Sequence, residues 1–159
     1  MNPVIQVIPL LVPADYQAGS QDFDSVNMGK LHKLDILIQL GVITGNDPVI
    51  KLYAGATAGT KTTELAWKYR KSNADSPAAS ADVFGARASI AAGGTGLTFS
   101  SSADYDLRTL WIEQMADQMP EGKPWLTVET DDGSASVLLM SAIGIGWPRF
   151  GGDTNTTAL

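Results

Sequence analysis

The sequence predicts an all-β protein: a two-layer antiparallel β-sandwich, jelly-roll-like, with a long small-residue connection and little helix. Three observations carry this. Lys33 to Val42, KLDILIQLGV, alternates with period two, so that Leu34, Ile36, Ile38, Leu40 and Val42 share the face opposite Lys33, Asp35 and Gln39. Eight or nine short segments of similar kind are separated by Gly, Pro, Asn and Asp turn signals. Charged residues make up only 18% of a chain with 16 Gly, which suits short strands and tight turns and argues against an amphipathic helical bundle.

The 159 residues are enough for one domain with its own core. The expected division is an N-terminal arm or edge strand over 1–14, a sandwich domain over 15–150 and a flexible tail over 151–159. Net charge is −6, from 11 Lys and Arg against 17 Asp and Glu, without the basic stripe of a nucleic-acid binder. No Cys is present, which removes disulfides, thiolate metal sites and a cysteine nucleophile. The apolar N-terminus has no Lys or Arg before Lys30 and is broken by Pro3, Pro9 and Pro13. It makes a poor signal peptide and no membrane span, so a soluble protein is expected.

Residues 4 to 12 alternate weakly around Pro9, as an extended arm lying on a neighbouring subunit or as an edge strand of its own sheet. Phe23 anchors a short strand running to Met28. Gly45-Asn46-Asp47-Pro48 is a dense turn signal after the central strand. With Val49 to Ala54 as the returning strand, it predicts a hairpin. Gly55-Ala56-Thr57-Ala58-Gly59-Thr60-Lys61-Thr62 superficially suggests a phosphate loop. Thr60, however, separates Gly59 from Lys61, and the residues that follow alternate as a strand, with Leu65, Trp67 and Tyr69 on one parity. A glycine-rich strand connection is expected instead.

Residues 71 to 96 are mostly small, with Val83, Phe84 and Ile90 as the few anchors before the Gly93-Gly94-Thr95-Gly96 turn. Leu97 and Phe99 mark a short strand. Asp104 to Met119 carries helical spacing at Leu107, Leu110, Trp111, Met115 and Met119, but Leu110-Trp111-Ile112 also suits a buried strand. A strand to about Gln114 followed by a helical turn over Ala116 to Met119 is expected. Trp125 to Thr130 is a strand ending at Asp131-Asp132-Gly133. Val137 to Trp147 is the last, with Val137, Leu139, Ile143 and Ile145 on one face and Met140, Ala142, Gly144 and Gly146 on the other.

No reactive constellation emerges. His32 is the single histidine and reads as a surface position, so no multi-histidine metal site and no serine–histidine–acid triad is expected. Asp22-Phe23-Asp24, Asp104-Tyr105-Asp106 and Asp131-Asp132-Gly133 lack the calcium-loop pattern and sit where turns use Asp. Trp67, Trp111, Trp125 and Trp147 suit core or inter-subunit packing better than a sugar-stacking platform. No catalytic residue, cofactor or metal is expected.

Leu110-Trp111-Ile112-Glu113, the turn with Met119, Gly122, Trp125-Leu126-Thr127-Val128 and the terminal Trp147-Pro148-Arg149-Phe150 resemble a pattern in small virion proteins of tailed bacteriophages. Ile8-Pro9-Leu10-Leu11 with Ala14-Asp15-Tyr16, and Ala56 to Thr62, are similar to it as well. The resemblance implies a non-enzymatic capsid decoration or cement protein with a jelly-roll-like fold. It would be homo-oligomeric (dimer or trimer) and bound to the major capsid protein on the virion surface after assembly in the host cytoplasm. No nucleic-acid or membrane partner is implied. The expected interface comprises Val4, Ile5, Val7, Ile8, Leu10, Leu11, Trp147, Arg149 and Phe150, and removal of residues 1 to 12 is expected to weaken assembly while leaving the domain folded. The alternatives are a carbohydrate-binding β-sandwich and a neck or tail component.

Overall fold

A computed structural model describes residues 5–16, 19–44, 48–99, 104–131 and 137–149. Among these, the strands in chain order are β1 (Gln6–Asp15), β2 (Ser20–Asp22), β3 (Val26–Asn27), β4 (Leu31–Thr44), β5 (Val49–Gly55), β6 (Thr63–Glu64), β7 (Trp67–Lys71), β8 (Ala88–Ile90), β9 (Leu97–Thr98), β10 (Thr109–Met115), β11 (Trp125–Asp131) and β12 (Val137–Pro148). Single 3-10 turns, Met28–Lys30 and Ala116–Gln118, are the only helical pieces among the described residues.

One sheet, A, has the order β1-β12-β4-β10-β7-β8, and the other, B, has β2-β11-β5-β6, with β3 also on β11 and β9 on β5. Every pairing is antiparallel. If β1, β2, β4, β5, β6, β10, β11 and β12 are taken as eight successive strands, the first, eighth, third and sixth form one sheet and the second, seventh, fourth and fifth the other. That is the double Greek key of a jelly roll, two sheets face to face. The segment from β7 to β9 is an insertion that widens sheet A and covers an edge of β5.

The core lies between the sheets. β4 contributes Leu31, Leu34, Ile36, Ile38, Leu40 and Ile43, β10 contributes Leu110 and Ile112, and β5 and β11 close it with Ile50, Leu52, Leu126 and Val128. The predicted strand is therefore present but longer, and its fifth aliphatic is different. Val42 is exposed and Ile43 buried. The register against β12 moves from Met140↔Leu40 to Leu138↔Ile43, so β4 carries one extra residue there. Such a bulge reverses the parity beyond it. A second shift, between Trp147↔Lys33 and Pro148↔Leu31, places the exposed His32 in another bulge.

The predicted hairpin across residues 45–48 does not form. β4 belongs to sheet A and β5 to sheet B, so the chain crosses between layers there. A turn signal states that the chain bends and leaves open whether it returns to the same sheet. The Gly55-to-Thr62 connection is the true hairpin, pairing Tyr53↔Glu64 and Ala54↔Thr63. The alternating run after it is split at Leu65: β6 stays in sheet B, Leu65 N–H donates to the Leu52 carbonyl at 2.8 Å, and β7 begins in sheet A. Leu65 and Trp67 are both buried at this crossing. The strand-then-turn expectation for Asp104 to Met119 matches β10 and the 3-10 turn that follows.

β12 turns its small residues inward. Ala142, Gly144 and Gly146 are buried, while Leu139 and Ile143 face out. A Cβ on Gly144 would stand 3.0 Å from Leu34 Cδ1 and 3.3 Å from Leu10 Cδ1, so leucines from β4 and β1 already fill that volume. Residues 6–15 form an edge strand paired with β12, and Ile8 and Leu10 are buried in the core. Two of the expected interface residues are thus spent internally, which is a correction. It also overturns the expectation that removal of residues 1 to 12 spares the fold, because the loss would uncover β12 along its length. Val4, Phe150 and the 151–159 tail lie outside the described residues.

Gly144→Val should destabilise the protein by about 1–3 kcal/mol, the usual cost of overfilling a packed core. Urea denaturation of the wild type and the variant measures it, with no loss expected for Ile143→Val on the opposite face.

Candidate interaction surface

Residues directly opposite on paired strands share a face, so the registers lay out the outer surface of sheet A in rows. One row runs Pro9, Ile143, Leu37, Trp111, Arg70. The next runs Val7, Ile145, Asp35, Glu113, Lys68. At its end Trp147, Lys33 and Met115 align. The β1–β12 half of the face is apolar, and the β10–β7 half carries charge and aromatic rings.

Large apolar side chains left exposed are Ile5, Val7, Val12, Val42, Val83, Leu107, Met115, Leu139 and Ile143. Seven belong to β1, β4, β10 and β12 or the residue next to β1, Val83 and Leu107 lie in loops beside β7 and β10, and none is on sheet B. Val7 and Val12 are each 68% exposed, the values expected of side chains with no partner in their own chain. Of the other expected interface residues, Ile5 and Arg149 are exposed and Leu11 and Trp147 half-buried. On β1, Val7 alternates with the buried Ile8 and Leu10, while Val12, of the same sequence parity as those two, reaches the surface because the register against β12 shifts between Pro9 and Leu11. The sequence does not single out Leu139 and Ile143 as exposed, because either face of β12 is apolar enough to point inward, and the exposed Met115 ends β10 opposite Lys33.

A charge network sits in the middle of this face. Lys33 Nζ lies 3.0 Å from Asp35 Oδ1 and 3.2 Å from Glu113 Oε1, and Arg87 pairs with the other oxygen of Glu113. Lys33 also stands over the Trp147 ring at 5.1 Å and the Trp111 ring at 5.9 Å. Phe84 packs edge-on against Trp111 with centroids 5.4 Å apart. Asp35 is only 4% exposed although its side chain is on the outer face, because these neighbours cover it. A buried carboxylate of this kind depends on its cation.

Sheet B presents a different surface. Lys61 Nζ bridges Asp22 at 2.8 Å and Glu129 at 3.1 Å, Ser20 Oγ donates to Glu129, and Lys51 reaches Glu64 at 3.5 Å. Burial opposes both charges of the central pair. The hydrogen bonds nevertheless win, holding Glu129 below the usual glutamate range and raising Lys61 above the usual lysine range. The face is polar, and both lysines are held by its own carboxylates.

The four tryptophans do not form a platform. Trp67 is buried in the core, Trp111 and Trp147 flank Lys33 on sheet A, and Trp125 lies on sheet B opposite Gly55. Of the aspartate pairs, Asp22 is held by Lys61, and Asp106 Oδ1 accepts the Ile43 N–H at 2.9 Å. Among the described residues, no group of three or more histidine and carboxylate side chains could hold a metal ion, and no helix is long and apolar enough to cross a membrane. A cleft of 370 Å³ opens at the β8 end of sheet A between Trp67, Arg87, Glu113 and Gln118. Its single carboxylate is engaged by two cations.

No protein-family model matches the chain, and a search of curated proteins gives no match. Among solved structures the chain is similar to one titled Desmodium yellow mottle tymovirus, at 10% identity over 97% of this chain and 93% of that chain, with a TM-score of 0.16. A likeness that low carries no argument.

Lys33→Ala should cost about 3–5 kcal/mol by stranding Asp35, and the double variant Lys33→Ala/Asp35→Ala should recover part of that loss in a double-mutant cycle. On sheet B, the lowered Glu129 contributes stability above the unfolded-state glutamate value, about pH 4.3, and loses it as pH falls through its folded value. Melting temperature followed from pH 7 to pH 3 should therefore fall less steeply for Glu129→Gln than for the wild type.

Proposed function

We propose that this chain is a non-enzymatic virion structural protein, a decoration or cement protein that seats the outer face of sheet A on a phage head and on neighbouring copies of itself. The observation that carries the reading is the segregation of exposed apolar side chains. Every large one among the described residues lies on sheet A, next to it, or in the loops beside it, while sheet B is polar and its lysines are held by its own carboxylates. An enzyme or small-ligand protein concentrates its chemistry in a concave site, whereas an assembly protein needs broad contact area. The resemblance of the Leu110 to Val128 and Trp147 to Phe150 segments to small phage virion proteins points the same way. The major capsid protein is the proposed partner, with the virion surface as the location.

Point substitutions replace truncation as the test of the surface, since β1 is structural. Val7→Asp/Ile143→Asp should leave melting within a few degrees of wild type, because both side chains are exposed. The same pair should reduce occupancy on purified heads by at least tenfold, read as protein copies per particle. Hundreds of wild-type copies on heads support decoration, and a handful would move the protein to the neck or tail. Binding to a glycan array with no attachment to particles would replace this reading with the carbohydrate-binding one.

A further inference from the structure

We propose that the sheet A face docks onto a protein surface that supplies its own carboxylates, received by Lys68 and Arg70 beside the apolar half of the face. This deepens the proposed function and rests on it. The chain as a whole carries −6, yet the charged half of sheet A, with Lys33, Lys68, Arg70 and Arg87 against Asp35 and Glu113, is locally positive.

Lys33 and Arg87 are already used by Asp35 and Glu113. Lys68 lies opposite Glu113 on the neighbouring strand, but that single negative charge already pairs with Lys33 through Oε1 and with Arg87 through Oε2, leaving an excess of positive charge. Arg70 lies opposite Trp111, which offers no charge, and its Nε is buried without an acceptor. The two cations are two residues apart on β7 and share a face, so they form a pair with no carboxylate of their own.

A second copy of the chain has little to offer them from either sheet. Asp15 accepts the Leu138 N–H, Asp22 and Glu129 hold Lys61, Glu64 holds Lys51, and Asp131 is also engaged. With Asp35 and Glu113, that accounts for the strand carboxylates among the described residues. Moving Glu64 to a neighbour would leave Lys51 behind, moving Asp15 would leave the Leu138 N–H without its acceptor, and moving Asp22 or Glu129 would break one side of the Lys61 bridge, so each new pair is offset by a lost one. Pairing along the sheet edge is also poor. β1 carries Pro9 and Pro13, which have no N–H to donate, and two register shifts break its outer line. The face, rather than the edge, makes the contact. Its apolar half distinguishes the occupant from a nucleic acid, which would meet cations with phosphate and leave Val7 and Ile143 uncovered.

The test uses purified heads lacking the protein, titrated with wild type, Lys68→Glu, and Lys68→Glu/Arg70→Gln at low and raised ionic strength. The expected result is a roughly tenfold weakening for the double variant and a flatter salt dependence, since charges at the rim of a contact act through steering and screening. Lys68→Glu alone, at an exposed position, should show the same direction and keeps the test valid if the double variant folds poorly. Equal binding by wild type and Lys68→Glu overturns this inference and leaves the proposed function standing. Absence of wild-type binding at every ionic strength instead removes the proposed function. Release of bound protein by duplex DNA, or a changed sedimentation coefficient of the free variant, would reassign the cations to nucleic acid or to self-contact, and either result overturns the inference.

Discussion

β4 has a hydrogen-bonded strand on each side and the second sheet beneath it, so its register cannot slip by one residue without sending Leu34, Ile36, Ile38 and Leu40 to the surface. Burying each of those side chains is worth roughly 1.5–3 kcal/mol, so the four together match the whole net stability of a typical domain, about 5–15 kcal/mol. Two features of the fold answer to that constraint. β12 presents Gly144 and Gly146 toward the core because leucines from β1 and β4 occupy the space a larger side chain would need. Where β4 outruns the core it bulges, and Ile43 recovers the buried side that Val42 has left.

Local alternation made β4, β5 and β11 legible in the sequence, since a period of two is a property of the residues themselves, while β10 was legible only as the apolar run Leu110-Trp111-Ile112 set against a helical spacing. Sheet membership was not legible. Gly45 to Pro48 bends the chain equally well into a hairpin or across to the other layer, and what decides is the pairing of β4 with β10 and β12, residues far away in sequence. The orientation of β12 was hidden for a similar reason. Leu139 and Ile143 make its more hydrophobic face, and on the strand alone that face belongs inside. The volume already filled by Leu10, Leu31 and Leu34 reverses the choice.

The candidate surface follows from that reversal. With its small face turned in, β12 must carry its large aliphatics outward, next to the exposed valines of β1, and an apolar band results from packing demands on the other side of the same strand. Half of the interface expected from the N-terminal run was therefore visible as hydrophobicity, but its division into Ile8 and Leu10 inside and Val7 outside required the partner strand. The charges at Lys33, Asp35 and Glu113 were visible only as the polar parity of two strands. Their convergence is a product of the β4–β10 register, Glu113 opposite Asp35 and Met115 opposite Lys33.

An apolar band on an otherwise acidic protein is a liability unless contact is limited in kind, and the two edges of sheet A limit it differently. At β1, Pro9 and Pro13 deny a stray strand a continuous ladder of donors. Toward β7, the cations raise the cost of covering the face with anything that brings no carboxylates, because Lys68 and Arg70 would lose water without gaining a counter-charge. The charged network between them, Lys33 and Arg87 with Asp35 and Glu113, is already neutralised and loses less on being covered. On the proposed docking, affinity would be concentrated in the aliphatic half and discrimination in the cationic half, and a partner would have to satisfy both at once to keep the face dry.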